Sequence, residues 1–160
     1  MFVYYYVHIE RPVEEIKRTL LQLPGGVEGV AEASLSDGRE LRMRAGLGEV
    51  FAKTVKLAVG EPSLNEGGMV LPLSWTPTSA SRLFPTMQGE ILLEGLGPDL
   101  SQITFRGTYR PPFKDIGSSL DRTGLHRVAE ATVKHFVDRL RTALLEHDLR
   151  DIAVNRAKIS

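Results

Sequence analysis

The sequence predicts an α+β domain in which one curved antiparallel sheet of about six strands is wrapped around a long C-terminal helix. Short segments that alternate apolar and polar residues, separated by breaks rich in glycine and proline, occupy much of residues 39–110. Residues 118–147 instead repeat apolar residues at spacings of three and four, which is the period of an α-helix. Such a helix must bury its apolar stripe, and the sheet is the surface that this chain offers.

The chain begins with a predicted strand and a predicted helix. Residues 2–9 are rich in tyrosine and valine, which favour a pleated, half-buried strand. Pro12 is tolerated in a first helical turn, and the two glutamates that follow suit the positive end of a helix. Pro24 and two glycines end this helix. Residues 27–35 fit either a short second helix or an irregular return towards the sheet.

Five further strands are predicted from period-two alternation and turn residues. Their ranges are 39–45, 50–59, 69–76, 87–96 and 102–110. The breaks at 65–68 and 97–99 have the composition of tight turns. The regular succession of strands and short breaks predicts an antiparallel meander with one dry face and one wet face.

The terminal helix is predicted to begin near Ser119, with Ser118 as its N-cap, and to run roughly 40 Å. Its predicted apolar stripe consists of Leu125, Val128, Ala129, Thr132, Val133, Phe136, Leu140, Ala143 and Leu144. We expect residues 1–147 to form a single domain. Residues 148–160 have weak periodicity and are expected to form a C-terminal tail that frays or docks on a partner.

Composition restricts the class of protein. The 160 residues carry equal numbers of acidic and basic side chains, so no basic surface for nucleic acid is expected. The chain has no cysteine, which excludes disulfides, thiolate metal sites and cysteine nucleophiles. Residues 2–9 do not resemble a signal peptide and no apolar run is long enough to span a bilayer. A cytoplasmic location is therefore expected.

The inward-facing residues are predicted to be a solid core or the lining of an apolar pocket. The strands contribute Leu41, Met43, Val55, Leu57, Leu71, Leu73, Trp75, Ile91, Leu93, Ile103, Phe105 and Tyr109, and the helix contributes Val128, Thr132, Phe136 and Leu140. Periodicity by itself favours packing. A strongly bent sheet that holds a helix leaves room beneath its middle for a small ligand. Trp75 and Tyr109 would then supply polar anchors within an apolar pocket.

Few residues suggest chemistry. Tyr109 and His126 are candidates for acid–base work, and Glu90 and Arg106 join them only if their side chains turn inward. Alternation places Glu90 and Arg106 on the wet face, where a cross-strand ion pair explains them. His135 and Asp138 have a spacing that can share a metal, but no metal site or cofactor is expected. The chain has no P-loop, dinucleotide or G-x-S-x-G motif.

These features resemble the Bet v 1-like, START-related helix-grip superfamily, which includes polyketide cyclase and dehydrase-like and lipid-transport proteins. The likeness lies in the order of elements, in Trp75 followed by Leu-Phe-Pro at 83–85, in the strand end at 107–112 and in the helix opening at 117–127. It implies a cavity for a lipid, polyketide or other small apolar ligand between sheet and helix. It implies no shared catalytic set, so a cyclase or dehydratase, or an interaction or toxin-type module with possible homodimers, remain alternatives.

Overall fold

The computed structural model describes residues 1–31, 55–77, 86–110 and 122–159. Their strands are β1 (Phe2–Ile9), β2 (Val55–Val59), β3 (Ser63–Asn65), β4 (Gly68–Pro77), β5 (Thr86–Gly97) and β6 (Leu100–Arg110). The helices are α1 (Val13–Gln22), α2 (residues 26–31) and α3 (Arg122–Ile159). The strands form an antiparallel sheet in the order β1-β6-β5-β4-β2, and β3 pairs with β4 as well.

The predicted α+β class and the antiparallel sheet with its long terminal helix are confirmed. Several predicted features lie outside the described residues. They are the strand at 39–45, the beginning of the strand at 50–59, residues 78–85 of the interruption at 77–86, and the cap and first turn of the terminal helix. Residues 27–31 are helical, which agrees with one of the two alternatives for that segment. Strand β3 was not predicted, because its three residues are too few to show alternation.

Strand α-carbon pairing aligns the inner-face residues in rows across the sheet. The row nearest the ends of β4 and β6 consists of Leu57, Trp75, Met87 and Tyr109. The next complete apolar row contains Leu71, Ile91, Phe105 and Tyr5. The third apolar row consists of Met69, Leu93, Ile103 and Val7. Residues paired across neighbouring strands point to the same face, so these rows make one continuous apolar surface.

Helix α3 covers this surface with a stripe of buried side chains. The stripe consists of Ala129, Val133, Phe136, Val137, Leu140 and Leu144. Val137 was missing from the predicted stripe, while Thr132 is only half-buried. The helix also runs past residue 147, where the sequence predicted it to end. Its 38 residues correspond to about 57 Å.

Polar contacts at β1 hold α3 against the edge of the apolar surface. The Tyr5 hydroxyl donates to Asp138 Oδ1 at 3.0 Å, and Lys134 Nζ donates to Asp138 Oδ2 at 2.6 Å. Lys134 Nζ also lies 5.2 Å from the centre of the Tyr5 ring. Arg141 Nε donates to the carbonyl oxygen of His8 at 3.0 Å. These contacts fix the position of the helix along β1.

Two paired glycines make room for an aromatic ring in the middle of the sheet. Gly89 of β5 pairs with Gly107 of β6, between the first two apolar rows. A Cβ atom on Gly89 would lie 2.8 Å from Phe105 Cζ, and one on Gly107 would lie 3.1 Å from Phe105 Cε1. A side chain at either position would crowd the Phe105 ring, so the ring can pack directly on the backbone of the two glycines. This arrangement places Phe105 beside Trp75.

Candidate functional site

The apolar layer between the sheet and α3 contains most of the residues that the sequence proposed for ligand binding. Its buried members include Leu71, Leu73, Trp75, Ile91, Leu93, Ile103, Phe105, Tyr109, Phe136 and Leu140. Leu57 and Thr132 are half-buried. Val55 lies in β2 and Val128 in α3, whereas Leu41 and Met43 lie outside the described residues.

An aromatic cluster occupies this layer near the end of β4. The Trp75 and Phe105 rings have centroids 5.6 Å apart, and Phe136 of α3 meets Trp75 edge-on at 6.0 Å. The cluster thus joins two strands to the helix. Alternation along β4 directs Trp75 inward, as it does Leu71 and Leu73. Aromatic pairs of this geometry contribute about 0.5–1.5 kcal/mol beyond the area that they bury.

The indole N–H of Trp75 is a buried donor in this cluster. Trp75 is 5% exposed, and the part of the chain that the structure describes supplies its Nε1 atom with no hydrogen-bond acceptor. A buried donor without a partner costs about 1–3 kcal/mol of stability. Because buried polar groups are nearly always paired, such a donor indicates either a strained site or a place for an acceptor that the described residues do not supply.

A hydrogen-bonded chain of three polar side chains lies at the end of β6. The Tyr109 hydroxyl lies 3.3 Å from His126 Nδ1, and the two rings stack with centroids 6.0 Å apart. His126 Nε2 lies 3.1 Å from Glu130 Oε1, one helical turn further along α3. The Tyr109 hydroxyl also donates to Met1 Sδ at 2.9 Å. The contacts extend from a fully buried phenol to an exposed carboxylate.

The environment of Tyr109 keeps its phenol protonated. Removal from water raises the pKa of Tyr109 above its ordinary value, and the negative charge of Glu130 raises this pKa further. Desolvation and a neighbouring carboxylate both disfavour the phenolate. Tyr109 is therefore a hydrogen-bond donor at neutral pH and not an anionic nucleophile.

Glu90 and Arg106 are separated from this layer by the sheet. They pair directly across β5 and β6 and form an ion pair on the outer face. Arg106 follows Phe105 in β6, so its side chain points away from the apolar layer. Of the four acid–base candidates, the structure thus brings together Tyr109 and His126 and places the other two elsewhere.

Sequence reasoning did not single out Met87 and Glu130. Met87 is buried and stands between Trp75 and Tyr109 in the first row. Its alternation with Ile91 and Leu93 could have revealed it. Glu130 stands four residues after His126, a spacing at which helical side chains meet, so this pair could have been found from the sequence.

The outer face of β1 carries a row of exposed aromatic side chains. Phe2, Tyr4 and Tyr6 are about half exposed, and neighbouring ring centroids lie 6.4 and 6.1 Å apart. His8 continues the row, with its ring centroid 5.4 Å from that of Tyr6. Exposed aromatic residues arranged side by side are more typical of a contact surface than of a solvated face.

The described residues contain neither a cluster of metal ligands nor a membrane-spanning helix. Within the described ranges, histidine, aspartate and glutamate side chains form no group of three that could hold a metal ion. Across those ranges, no helix combines the length and apolarity required to cross a bilayer.

Comparison with known proteins gives similarity in structure but not in sequence. No family model and no curated protein matches the chain. A conserved protein from Geobacillus kaustophilus has 12% identity and a TM-score of 0.51, over 89% of this chain and 94% of that one. A hypothetical protein from Helicobacter pylori has 12% identity and a TM-score of 0.50, over 89% and 86% of the two chains. The Zhui aromatase/cyclase from Streptomyces sp. R1128 has 18% identity and a TM-score of 0.45, over 94% of each chain.

The chain therefore has the helix-grip fold. An antiparallel sheet with a long C-terminal helix packed on its inner face defines this fold, and both are present. The helix-grip fold that the sequence resemblance implied is confirmed. A fold hosts many functions, so the fold by itself does not assign one to this chain.

Proposed function

We propose that the protein binds a small apolar or amphipathic molecule, such as a lipid or a polyketide, between the inner face of the sheet and α3. The observation that carries the proposal is the buried Trp75 N–H, which lies in an aromatic cluster and finds no acceptor among the described residues. A ligand with an acceptor oxygen would remove the cost of this donor while its apolar part contacts Phe105 and Phe136.

Affinity for such a ligand would come from the apolar area that binding removes from water. Apolar area removed from water contributes about 25 cal/mol per Å², from which the costs of association must be subtracted. The Trp75 donor adds selectivity, because a hydrocarbon of the same shape would leave it unpaired. The proposed ligand-contacting residues are Leu57, Leu71, Leu73, Trp75, Ile91, Leu93, Phe105, Tyr109, Val128, Thr132, Phe136 and Leu140.

Trp75 is the single tryptophan of the chain, so its fluorescence reports on this site without interference from other indoles. Delipidated protein would be titrated with oleate, with a sterol and with 2-acetylnaphthalene, in parallel with calorimetry. We expect a saturable change in Trp75 emission, at about one ligand per chain, for at least one of the three. A calorimetric signal and an emission that remain unchanged with all three would contradict the proposal.

A pair of variants separates binding in this layer from adsorption elsewhere. Phe136→Leu removes the aromatic edge against Trp75 but keeps an apolar side chain, and it should weaken binding about tenfold. Leu64→Ala removes apolar surface from an exposed position of β3 and should leave binding unchanged. Equal affinities in both variants would place the ligand outside this layer.

An enzyme of the cyclase or dehydratase type is the second candidate function. The hydrogen-bonded contact between Tyr109 and His126 favours it, since acid–base chemistry needs two titratable groups within reach of each other. The outer-face position of Glu90 and Arg106 argues against their participation. Turnover of a poly-β-ketone substrate that is lost in Tyr109→Phe would support this candidate, whereas binding without turnover leaves the protein a binding module.

An interaction module or homodimer is a third candidate, favoured by the exposed aromatic row on β1. Light scattering on the wild type and on a Tyr4→Ser variant tests it, and a monomer at all concentrations would exclude the homodimer.

A cytoplasmic location and the absence of a nucleic-acid partner complete the proposal, and they rest on composition. Fractionation of the host cell and a nucleic-acid filter-binding assay test these two points.

A further inference from the structure

The outer face of the sheet, which points away from α3, has the composition of a protein interface. The wet face of an antiparallel sheet is normally polar and often charged. Among the outward side chains of residues 2–8 and of the residues paired with them on β6, β5 and β4, the ionised ones are Arg106, Glu90 and Glu94. The exposed aromatic row of β1 belongs to this face. Interfaces are enriched in aromatic residues and arginine, whereas lysine and acidic residues are depleted.

One row of the outer face contains both an exposed aromatic ring and an ion pair. Strand pairing places Tyr4, Arg106, Glu90 and Pro72 side by side across β1, β6, β5 and β4. Tyr4 and Pro72 are exposed. The Arg106 side chain is 51% exposed, and its contact with Glu90 uses Nε–H, one of the five N–H donors of a guanidinium. The row therefore presents one positive and one negative group that a second ion pair could meet.

The next row of the outer face is uncharged. It consists of Tyr6, Thr104, Leu92 and Val70. Tyr6 is about half exposed, and Leu92 and Val70 are half-buried. Covering this row would remove further apolar area from water, which is favourable.

A twofold axis that runs parallel to the strands, between β6 and β5, makes two copies of the outer face complementary. In such a contact, residue i meets residue j of the second copy, and j meets i. Rotation about this axis preserves the position along the strands, so each row meets its own copy in reversed order. β6 then lies over β5 of the second copy, and β1 lies over its β4. Arg106 meets Glu90 of the second copy, and Tyr4 meets Pro72.

Charge selects this axis over the one perpendicular to the strands. A perpendicular axis would place β6 over β6 of the second copy. Arg106 would then meet either the second Arg106, which is repulsive, or an uncharged outward residue of β6. The parallel axis instead forms a cluster of four alternating charges, in which each guanidinium has a carboxylate from its own chain and one from the other chain.

The outer face is large enough for a dimer of moderate affinity. Four strands at a spacing of about 4.8 Å and seven residues at about 3.3 Å cover roughly 19 by 23 Å. The side chains that stand on this patch bring its accessible area towards the roughly 800 Å² that each partner buries in a standard interface. Sheets commonly pack face to face in this way, with their strand directions within about 30° of each other.

We propose that the outer face is the interface of a homodimer, in which two sheets pack face to face about the parallel twofold axis. The inference assigns a surface, a symmetry and a set of contacts to the homodimer named above as a candidate. It is independent of ligand binding, because the outer face and the layer packed against α3 lie on opposite sides of the sheet. The two proposals therefore fail separately.

A pair of charge-reversal variants tests the contact between copies. Arg106→Glu leaves only carboxylates in the cluster, and Glu90→Arg leaves only guanidinium groups. In a mixture of the two variants, every contact between unlike chains is again an opposite-charge pair, whereas the pair within each chain stays repulsive. Glu146→Arg, on the exposed face of α3, is the matched control. Circular dichroism and urea unfolding confirm that each variant is folded.

Sedimentation equilibrium from about 1 to about 200 μM measures the dissociation constants, and we expect a wild-type dimer in the micromolar range. Each reversal should weaken the homodimer at least about tenfold, and an equimolar mixture should recover the dimer. Glu146→Arg should behave as the wild type. Recovery in the mixture is the decisive result, because damage within one chain would persist there.

Three results would overturn the inference. They are a wild type that stays monomeric throughout this range, a dimer that neither reversal weakens, and folded variants whose mixture remains monomeric. Titration of the same variants with oleate, followed by Trp75 emission, keeps ligand binding separate. Monomeric variants that still bind oleate would show that the layer works without the dimer, and a dimer that binds none of the three trial ligands would leave the interface standing alone.

Discussion

At the residue scale, the burial of Tyr109 has a consequence for stability at high pH. Its pKa is raised above 10.0, first by desolvation and then by the charge of Glu130. The folded protein therefore holds this proton more tightly than the unfolded chain does. The contribution of Tyr109 to the free energy of unfolding is fully present below about pH 10 and is lost as the pH rises through the folded-state pKa.

We therefore expect wild-type stability to fall more steeply above about pH 10 than that of Tyr109→Phe. Urea unfolding followed by circular dichroism between pH 7 and pH 11 measures the difference. Tyr6→Phe removes an exposed tyrosine of β1 and serves as the control, with a profile that parallels the wild type. If all three profiles are parallel, Tyr109 ionises as an ordinary surface tyrosine.

The glycine pair beneath Phe105 gives a second test at this scale. A methyl group at Gly89 would lie 2.7 Å from the Arg106 carbonyl oxygen and 2.8 Å from Phe105 Cζ. Gly89→Ala should cost about 1–3 kcal/mol, the range for overpacking, and should alter Trp75 emission because Phe105 must move. Gly97→Ala meets no atom of the described residues within 4 Å and should stay within about 0.5 kcal/mol of the wild type. Equal effects at the two glycines would contradict the contact.

At the scale of elements, patterns of period two and 3.6 predicted β1, α1, β4, β5 and β6 with small errors at their ends. Alternation also assigned Trp75 and Phe105 to the inner face and Arg106 to the outer face. The sequence could not reveal the Tyr109–His126 contact, because it depends on how α3 crosses the end of β6. It also could not show that Trp75 lacks an acceptor among the described residues, since this depends on every neighbouring side chain.

The end of α3 shows where local patterns stop being informative. The helix continues to Ile159, although apolar periodicity fades after residue 147. Among the side chains that the structure describes, the buried stripe ends at Leu144. A helical backbone does not require a strong apolar period, so the weak periodicity after residue 147 could not mark the end of the helix.

A truncation after residue 147 tests whether the core needs the end of α3. We expect the shortened chain to lose ellipticity at 222 nm in proportion to the residues removed. Its free energy of unfolding should change by less than about 1 kcal/mol, against the roughly 2–5 kcal/mol expected for Leu140→Ala in the buried stripe. Loss of cooperative unfolding in the truncated chain would show that residues 148–160 belong to the domain.

At the scale of the whole molecule, the inner face of the sheet packs against α3 through one aromatic cluster, and the polar side chains of Tyr109, His126 and Glu130 lie at one end of this layer. Hydrogen bonds among Tyr5, Asp138 and Lys134 hold the sheet and α3 together along β1. The contacts are partly exposed, so Asp138→Asn should cost about 1 kcal/mol or less. Stability measured in low salt and in 1 M salt checks this, with Glu146→Gln on the exposed face of α3 as the control. A loss above about 3 kcal/mol would instead indicate a buried ion pair.

A bound molecule should stabilise the whole domain. A ligand at 100 times its dissociation constant raises the free energy of unfolding by about 2.7 kcal/mol when it binds only the folded state. The rise should appear in the wild type and be reduced in Phe136→Leu at the same ligand concentration. Thermal unfolding of both proteins with and without oleate or 2-acetylnaphthalene measures it. Identical rises in the two proteins would locate the ligand away from Trp75.

Native mass spectrometry of the protein purified from its own host tests the central claim most directly. The bound molecule would be released, extracted and identified. We expect a complex of one apolar or amphipathic molecule per chain, with an acceptor oxygen in that molecule and reduced occupancy in Phe136→Leu. A mass equal to that of the bare chain, under conditions that preserve known non-covalent complexes, would contradict the account and leave the layer a solid core.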